Sequence, residues 1–120
     1  MDDYKVNDLI GKELRVIVDR PIGSHHPDHP DLIYNLNYGY VPGMPAPDGE
    51  DIDAYIIGVD YAVTEFTGRV IAVIHRNNDI EAKLVVAPKH LSFISEEIIS
   101  ATDFVEQYFD ITVITLTDKA

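Results

Sequence analysis

Short runs of apolar and β-branched residues, separated by segments rich in proline, glycine and acidic residues, make up most of this chain. Runs of this kind are typical of β-strands bounded by turns. The two segments between the early runs, residues 22–31 and 42–49, carry prolines and glycines that predict loops. The pattern therefore predicts strands at residues 14–18, 33–41, 52–59, 68–75, 83–87 and 111–116.

One segment near the end of the chain has helical periodicity. Apolar residues recur at 3-to-4 spacing at Ile98, Ala101, Val105 and Tyr108. Ser95 is the expected N-cap, with two glutamates in the first turn that favour the helix dipole, and residue 110 ends the pattern. Several short strands, one helix and a last strand predict a mainly β, α+β fold. We expect a small, mostly antiparallel barrel with a packed helix, in a single domain over residues 1–120.

An acidic turn enters the third predicted strand. Asp48, Glu50, Asp51 and Asp53 fall within six positions, and two carboxylates about 4 Å apart repel by about 4 kcal/mol at an effective dielectric near 20. These carboxylates must therefore bind cations or point apart into the solvent. Oxygen ligands suit Mg²⁺ and Mn²⁺, whereas an acidic turn is also common on solvated surfaces. Strand alternation puts two groups on opposite faces: Ile52, Ala54 and Ile56 on one, and Asp53, Tyr55 and Ile57 on the other.

Two further groups of residues are candidates for chemistry. Glu81 and Lys83 share one face of a strand, where they could serve metal and phosphate together or form a surface ion pair. The loop His25-His26-Pro27-Asp28-His29, preceded by Arg20, could ligate a transition metal, donate to an anion, or remain solvated. His75 and Arg76, at a strand end, form a second cationic pair.

Composition narrows the classes of partner. Nine basic residues against 21 acidic ones give a net charge of −12 and a pI near 4.5, which argues against nucleic acid and against anionic membranes. The absence of cysteine excludes disulfides and thiolate chemistry. With no secretory pattern at the start and no apolar run near 20 residues, we expect a soluble, cytoplasmic protein.

Three motifs occur together in one order. Residues 37–42 read NYGYVP, residues 48–53 read DGEDID, and residues 81–88 read EAKLVVAP. This combination resembles the soluble family I inorganic pyrophosphatases. Residues 104–108, FVEQY, resemble the late helix of that family with its phosphate-contacting tyrosine. The resemblance covers most of residues 14–109.

The resemblance implies a fold, a reaction and roles for single residues. It implies a five-stranded OB-like barrel, Mg²⁺ (or Mn²⁺) as cofactor, pyrophosphate as a small-molecule substrate split into two phosphates, and a homo-oligomer. Metal-ligating carboxylates fall at Asp48, Asp53 and Glu81, with Asp19 near an early acidic residue. The catalytic set falls at Glu50, as proton acceptor, with Asp53 and Lys83, and phosphate contacts fall at Lys83, Tyr38 and Tyr108.

The chain also departs from the family pattern. Glu50 and Glu81 stand where the family has aspartate, and Phe109 stands where a lysine follows the late tyrosine. The early hairpin that supplies a lysine and an arginine to phosphate is missing, and the histidine loop takes its place. We expect cationic and histidine side chains to replace part of that charge: Arg20, His25, His26, His75 or Arg76. A different diphosphate, or metal and phosphate binding without catalysis, remain alternatives.

Overall fold

The computed structural model describes residues 6–78 and 81–116. A short 3₁₀ helix, Val6–Leu9, precedes the first strand. Six strands and one helix follow: β1 (Glu13–Arg20), β2 (Asn37–Pro45), β3 (Asp51–Ile56), β4 (Glu65–Arg76), β5 (Ala82–Ala87), α1 (Ser95–Glu106) and β6 (Ile111–Thr115). All the predicted strands are thus present, with shifted ends.

The strands close into a five-stranded mixed barrel. The hydrogen-bonded order is β1-β2-β3-β5-β4, and β4 pairs back onto β1. The long strand β4 closes the barrel because it pairs with β5 along one edge and, through its first half, with β1 along the other (Glu13↔Arg69). The second half of that other edge pairs with β6 (Arg76↔Ile111). Among the described pairings β3–β5 is parallel and the others are antiparallel. The predicted mainly β, OB-like barrel with one helix is confirmed.

Three predicted strand ends were wrong for reasons of tertiary pairing. The second strand begins at Asn37, not at residue 33, because Ile33 bridges to His25 within the histidine loop. It then runs on to Pro45 through residues predicted as loop. A register shift between Tyr40 and Pro45 admits the prolines, which cannot donate to a regular ladder. The fourth strand begins at Glu65, three residues before the prediction, because that part pairs with β1.

Two hydrophobic cores lie on the two faces of the sheet. Ile52, Ala54 and Ile56 share the core inside the barrel, and Tyr55 and Ile57 lie in the core beneath α1. The predicted alternation of β3 is therefore confirmed. It places the Asp53 side chain on the helix-facing side of the sheet, next to buried aromatic rings.

The helix differs from its prediction at both ends. Ile94, with extended backbone angles, is the N-cap instead of Ser95, and the Glu97 carboxylate accepts a hydrogen bond from the Ile94 amide at 2.9 Å. The helix ends at Glu106, so Tyr108 lies beyond it and is 72% exposed. Within residues 6–78 and 81–116, no helix has the length and apolar character needed to cross a bilayer.

Candidate active site

An acidic pocket of about 400 Å³ opens beside the β2–β3 turn. Two parallel, neighbouring strands bring its walls together, since Asp53 on β3 lies opposite Lys83 on β5 and Glu81 comes just before β5. The turn supplies the remaining carboxylates. The pocket is lined by Tyr40, Ala46, Asp48, Glu50, Asp51, Asp53, Glu81 and Ala82.

Backbone hydrogen bonds fix the conformation of the acidic turn. Gly49, at φ +91°, adopts the left-handed backbone that favours glycine, and its amide donates to the Ala46 carbonyl at 2.9 Å. One Asp48 oxygen accepts from the Glu50 amide at 3.0 Å, and one Asp51 oxygen accepts from the Gly43 amide at 3.2 Å. Two of the four crowded carboxylates, those of Asp48 and Asp51, are therefore held by backbone amides.

A cationic pocket of about 670 Å³ adjoins the acidic one. It lies between the histidine loop, the outer face of the sheet and the residues that follow α1. Cations, histidines and aromatic rings dominate its lining: Arg20, His26, His29, Asp31, Leu32, Tyr34, Tyr38, Arg76, Lys83, Val105, Tyr108 and Phe109. Six residues predicted to contact substrate therefore meet in one cavity: Arg20, His26, Tyr38, Arg76, Lys83 and Tyr108.

Lys83, Asp53 and Tyr38 form the border between the two pockets. The Lys83 ammonium donates to Asp53 Oδ2 at 3.1 Å and to the Tyr38 hydroxyl at 2.5 Å, and that hydroxyl donates to Asp53 Oδ2 at 2.7 Å. Lys83 is only 4% exposed. Burial, and then the Asp53 carboxylate, raise the pKa of Tyr38 well above its usual value, so the phenol stays protonated and remains a donor.

Arg76 is held by two carboxylates at the inner wall of the cationic pocket. It donates to Glu106 through Nε at 3.1 Å and Nη2 at 2.9 Å, and to Glu81 through Nη1 at 2.6 Å. Its guanidinium lies 3.6 Å from the centre of the Phe109 ring. Tyr55 also donates to Glu106, at 2.6 Å. Burial opposes the charge on Arg76, but the Glu106 contacts prevail and raise its pKa.

Backbone bonds and one aromatic stack organise the histidine loop. The amides of Gly23 and Tyr34 bond to carbonyls across the loop at 2.9 Å, and His26 stacks on Tyr34 with 6.3 Å between ring centres. Arg20 donates to the Tyr34 hydroxyl at 2.7 Å. Burial and the nearby Arg20 charge lower the pKa of His26. Its Nδ1 accepts from the Asp28 amide at 3.0 Å, which leaves Nε2–H as a neutral donor.

Three residues proposed from sequence lie outside both pockets. His25 donates through Nδ1 to the Pro30 carbonyl at 2.7 Å, and His75 donates through Nε2 to Asn7 Oδ1 at 2.8 Å. Asp19 is exposed beside a register shift in β1. The structure therefore separates these three from the other candidates, which it gathers at the two pockets.

Other residues at the site received no role from the sequence. Glu106 lies at i+8 from the buried Ile98, and this helical spacing placed it on the apolar face of α1. Asp51 was counted among the crowded acids, yet only the structure shows that it lines the pocket. Nothing in the sequence distinguished Tyr34, which stacks against the histidine loop, from an ordinary core aromatic.

The donor chemistry of the acidic pocket fits a hard divalent cation, since its charged ligands are all carboxylates. Across residues 6–78 and 81–116, however, no three histidine, aspartate or glutamate side chains are grouped closely enough to hold one ion. Two of the carboxylates are already paired, Asp53 with Lys83 and Glu81 with Arg76. The turn carboxylates Asp48, Glu50 and Asp51 have no such cation partner among the ion pairs of the described chain.

Comparison with known proteins shows the fold. No protein-family model matches the chain, and no curated protein sequence matches it. Solved structures of inorganic pyrophosphatases do match. That from Ehrlichia chaffeensis has a TM-score of 0.68 at 18% identity, with 97% of this chain and 94% of that chain covered.

Two further pyrophosphatase structures give similar results. That from Coxiella burnetii has a TM-score of 0.59 at 15% identity over 88% of this chain and 86% of that chain. That from Neisseria gonorrhoeae has a TM-score of 0.59 at 19% identity over 82% and 74%. At such identities the likeness shows a shared fold, and function must be argued from the side chains of the site.

Proposed function

We propose that this protein is a metal-dependent hydrolase that splits inorganic pyrophosphate into two phosphates. One observation carries the proposal: an acidic pocket and a cationic pocket meet at the Asp53–Lys83 ion pair. Phosphoanhydride hydrolysis needs carboxylates to hold divalent cations and fixed positive charge to hold phosphoryl oxygens. The likeness to pyrophosphatase folds supports the same reaction.

In this proposal each pocket has its own task. Asp48 and Asp53 hold the cations, and Lys83, Tyr38 and Tyr108 contact phosphate. When bound, Mg²⁺ or Mn²⁺ would supply positive charge against the phosphoryl oxygens and make the attacking water more acidic. Glu81, the third metal ligand that the resemblance implies, is already paired with Arg76.

Glu50 is the proposed proton acceptor for the attacking water. The water oxygen forms a bond to one phosphorus while the bond from that phosphorus to the bridging oxygen breaks. The departing phosphate leaves with the bridging oxygen, and Lys83 and Tyr38 stabilise the charge that develops there. Glu50 lines the acidic pocket and its side chain is exposed, so a water can reach it.

Release of phosphate from pyrophosphate, measured with Mg²⁺ and with Mn²⁺, tests the proposal. We expect turnover that requires metal and that falls about 100-fold or more in Asp53→Asn. Asp60→Asn, which changes an exposed acid outside both pockets, is the matched control and should keep wild-type activity. A folded protein without metal-dependent turnover of pyrophosphate would falsify the assignment.

A larger diphosphate, such as a nucleoside or sugar diphosphate, is the second candidate. The cationic pocket favours it, because its volume is larger than that of the acidic pocket and its rings and aliphatic side chains are ones that pyrophosphate cannot use. A substrate panel at fixed Mg²⁺ decides between them, since faster turnover of the larger diphosphate would reverse the order. Ligand-induced stabilisation without turnover of any diphosphate would indicate a binding module.

We further propose a homo-oligomeric, cytoplasmic enzyme that acts on a small molecule and needs neither nucleic acid nor a membrane. The resemblance supports the oligomer, and the net charge of −12 supports the lack of polyanionic partners. Light scattering coupled to size exclusion measures the oligomeric state, and a monomeric mass would contradict it. Binding to duplex DNA at low salt would contradict the second part.

A further inference from the structure

The buried Arg76 guanidinium is paired with two carboxylates. The side chain is 8% exposed, and three of its nitrogens donate to carboxylate oxygens of Glu106 and Glu81. One face of the guanidinium is covered by the Phe109 ring. Two carboxylates thus meet one cation on its two edges, with Lys83 3.8 Å from Glu81 as a second cation.

Glu106 prevents Arg76 from moving away. Its carboxylate is 2% exposed, and besides Arg76 it contacts the neutral phenol of Tyr55. If Arg76 turned out of the pocket, Glu106 would remain buried without a countercharge, which is strongly unfavourable. Arg76 is therefore a fixed part of the wall, and it stays beside Glu81 when ligands enter.

Glu81 is consequently a poor ligand for a metal ion. An ion bound to Glu81 Oε1 would share that oxygen with a guanidinium nitrogen 2.6 Å away and would have the Lys83 ammonium close by. Like charges so near one another repel, and neither internal cation can leave its buried site at low cost. The turn carboxylates Asp48, Glu50 and Asp51 face no such competitor among the described ion pairs. Asp53 faces one internal cation, Lys83 at 3.1 Å, whereas Glu81 faces two.

We propose that Arg76 replaces a metal ion at Glu81. Glu81 is then the charge partner of Arg76, and divalent cations bind only to the carboxylates of residues 48–53. The inference rests on the proposed metal-dependent function and changes one of the roles that the resemblance implies. It makes Arg76 a positioning residue that supplies permanent positive charge at the border of the two pockets, so the site needs fewer ions.

Binding of Mn²⁺ alone, measured by calorimetry and by electron paramagnetic resonance, tests this without any turnover. We expect Glu81→Gln to keep the wild-type number of bound Mn²⁺ ions and a Kd within about twofold. Asp53→Asn should weaken binding at least about tenfold. Loss of one ion, or a tenfold weaker Kd, in Glu81→Gln would overturn the inference while leaving the metal-dependent function intact.

A second set of variants asks whether Arg76 is what excludes metal from Glu81. In Arg76→Met/Glu106→Gln both buried charges are removed together, and the half-buried Glu81 keeps only Lys83, at 3.8 Å, as a cation neighbour among the described ion pairs. We expect this pair to bind one additional Mn²⁺ or to bind Mn²⁺ about tenfold more tightly, and the further change Glu81→Gln to abolish that gain. No gain in the folded double variant would contradict the inference. Absence of Mn²⁺ binding by the wild type would overturn the proposed function as well.

Discussion

Lys83 and Asp53 face each other across the parallel strands β5 and β3, with Nζ and Oδ2 3.1 Å apart. Asp53 lines the acidic pocket and Lys83 lines the cationic one. The parallel register thus places a carboxylate suited to metal ions beside an ammonium suited to phosphate. This ion pair lies at the border of the two pockets.

Removal of the Lys83 charge should lower activity much more than stability. Lys83→Met keeps the length and the apolar stem of the side chain but deletes the ammonium beside the phosphates. We expect kcat for pyrophosphate to fall by about 10²–10³-fold, the usual effect of removing one donor to a developing anion, with far-ultraviolet circular dichroism unchanged. Lys89→Met, which removes an exposed cation near Glu13, is the control. Activity of Lys83→Met within threefold of wild type would exclude Lys83 from catalysis.

The buried pair of Arg76 and Glu106 should be important for stability. Glu106→Gln removes the buried carboxylate that Arg76 Nε and Nη2 contact and leaves Glu81 as its remaining carboxylate partner. We expect a loss of about 3 kcal/mol in the free energy of unfolding. The double variant Arg76→Met/Glu106→Gln should recover part of this loss because it removes both charges. Urea denaturation measures each value. Asp103→Asn, on the exposed side of the same helix, should change stability by less than about 0.5 kcal/mol, and an equal loss there would refute the explanation.

His75 should make the protein less stable in mild acid. Burial lowers its pKa from 6.5, so the unfolded chain binds a proton more tightly than the folded one. Stability is then fully present above pH 6.5 and decreases as the pH falls through the window between the unfolded and the folded pKa. Between pH 7.5 and 5, the Tm of thermal unfolding should fall less in His75→Gln than in wild type. The exposed variant His90→Gln should retain the wild-type slope, and identical slopes for His75→Gln would argue against this origin.

Gly39 should be required for closure of the barrel. A Cβ at this position would lie 1.8 Å from the Ile17 carbonyl oxygen and 2.9 Å from Val18 Cα, and both are backbone atoms of β1. Gly39→Ala therefore forces β1 and β2 apart, and we expect loss of cooperative unfolding or a destabilisation above about 4 kcal/mol. Gly23→Ala is the control, because its Cβ meets nothing within 4 Å and only its φ of +89° is unfavourable. It should cost about 1 kcal/mol, and a similarly small loss for Gly39→Ala would contradict the steric argument.

Local patterns were sufficient to predict part of the site. Alternation alone put Asp53 on the face opposite Ile52 and Ala54, and the structure has it there. Residue type and spacing were enough to single out the acidic turn, since crowded carboxylates need an explanation wherever the fold puts them. These features depend on residues close in sequence, which is why one chain could reveal them.

Long-range pairings could not be predicted in this way. Arg76 and Glu106 are 30 residues apart, and no local pattern indicates that they pair. The early start of β4 depends on β1, which is some 50 residues upstream along the chain, as the contact of Arg15 with Glu65 shows. Residues 33–36 have strand-like composition, yet the bridge from Ile33 to His25 assigns them to the loop. Such contacts are decided by the fold as a whole.

Two adjacent histidines should respond differently to the same substitution. His26 lines the cationic pocket and keeps Nε2–H free to donate, whereas His25 is turned away onto the Pro30 carbonyl. We expect His26→Leu to raise KM for pyrophosphate about 10–100-fold, the loss of one hydrogen bond to a charged group, and His25→Leu to leave KM unchanged. Because the pKa of His26 is lowered, this residue stays neutral above pH 7, so the ratio of wild-type to His26→Leu KM should be constant from pH 7 to 8.5. Equal effects of the two substitutions would mean that the loop acts only through its backbone, and a ratio that rises with rising pH would mean that His26 contributes charge.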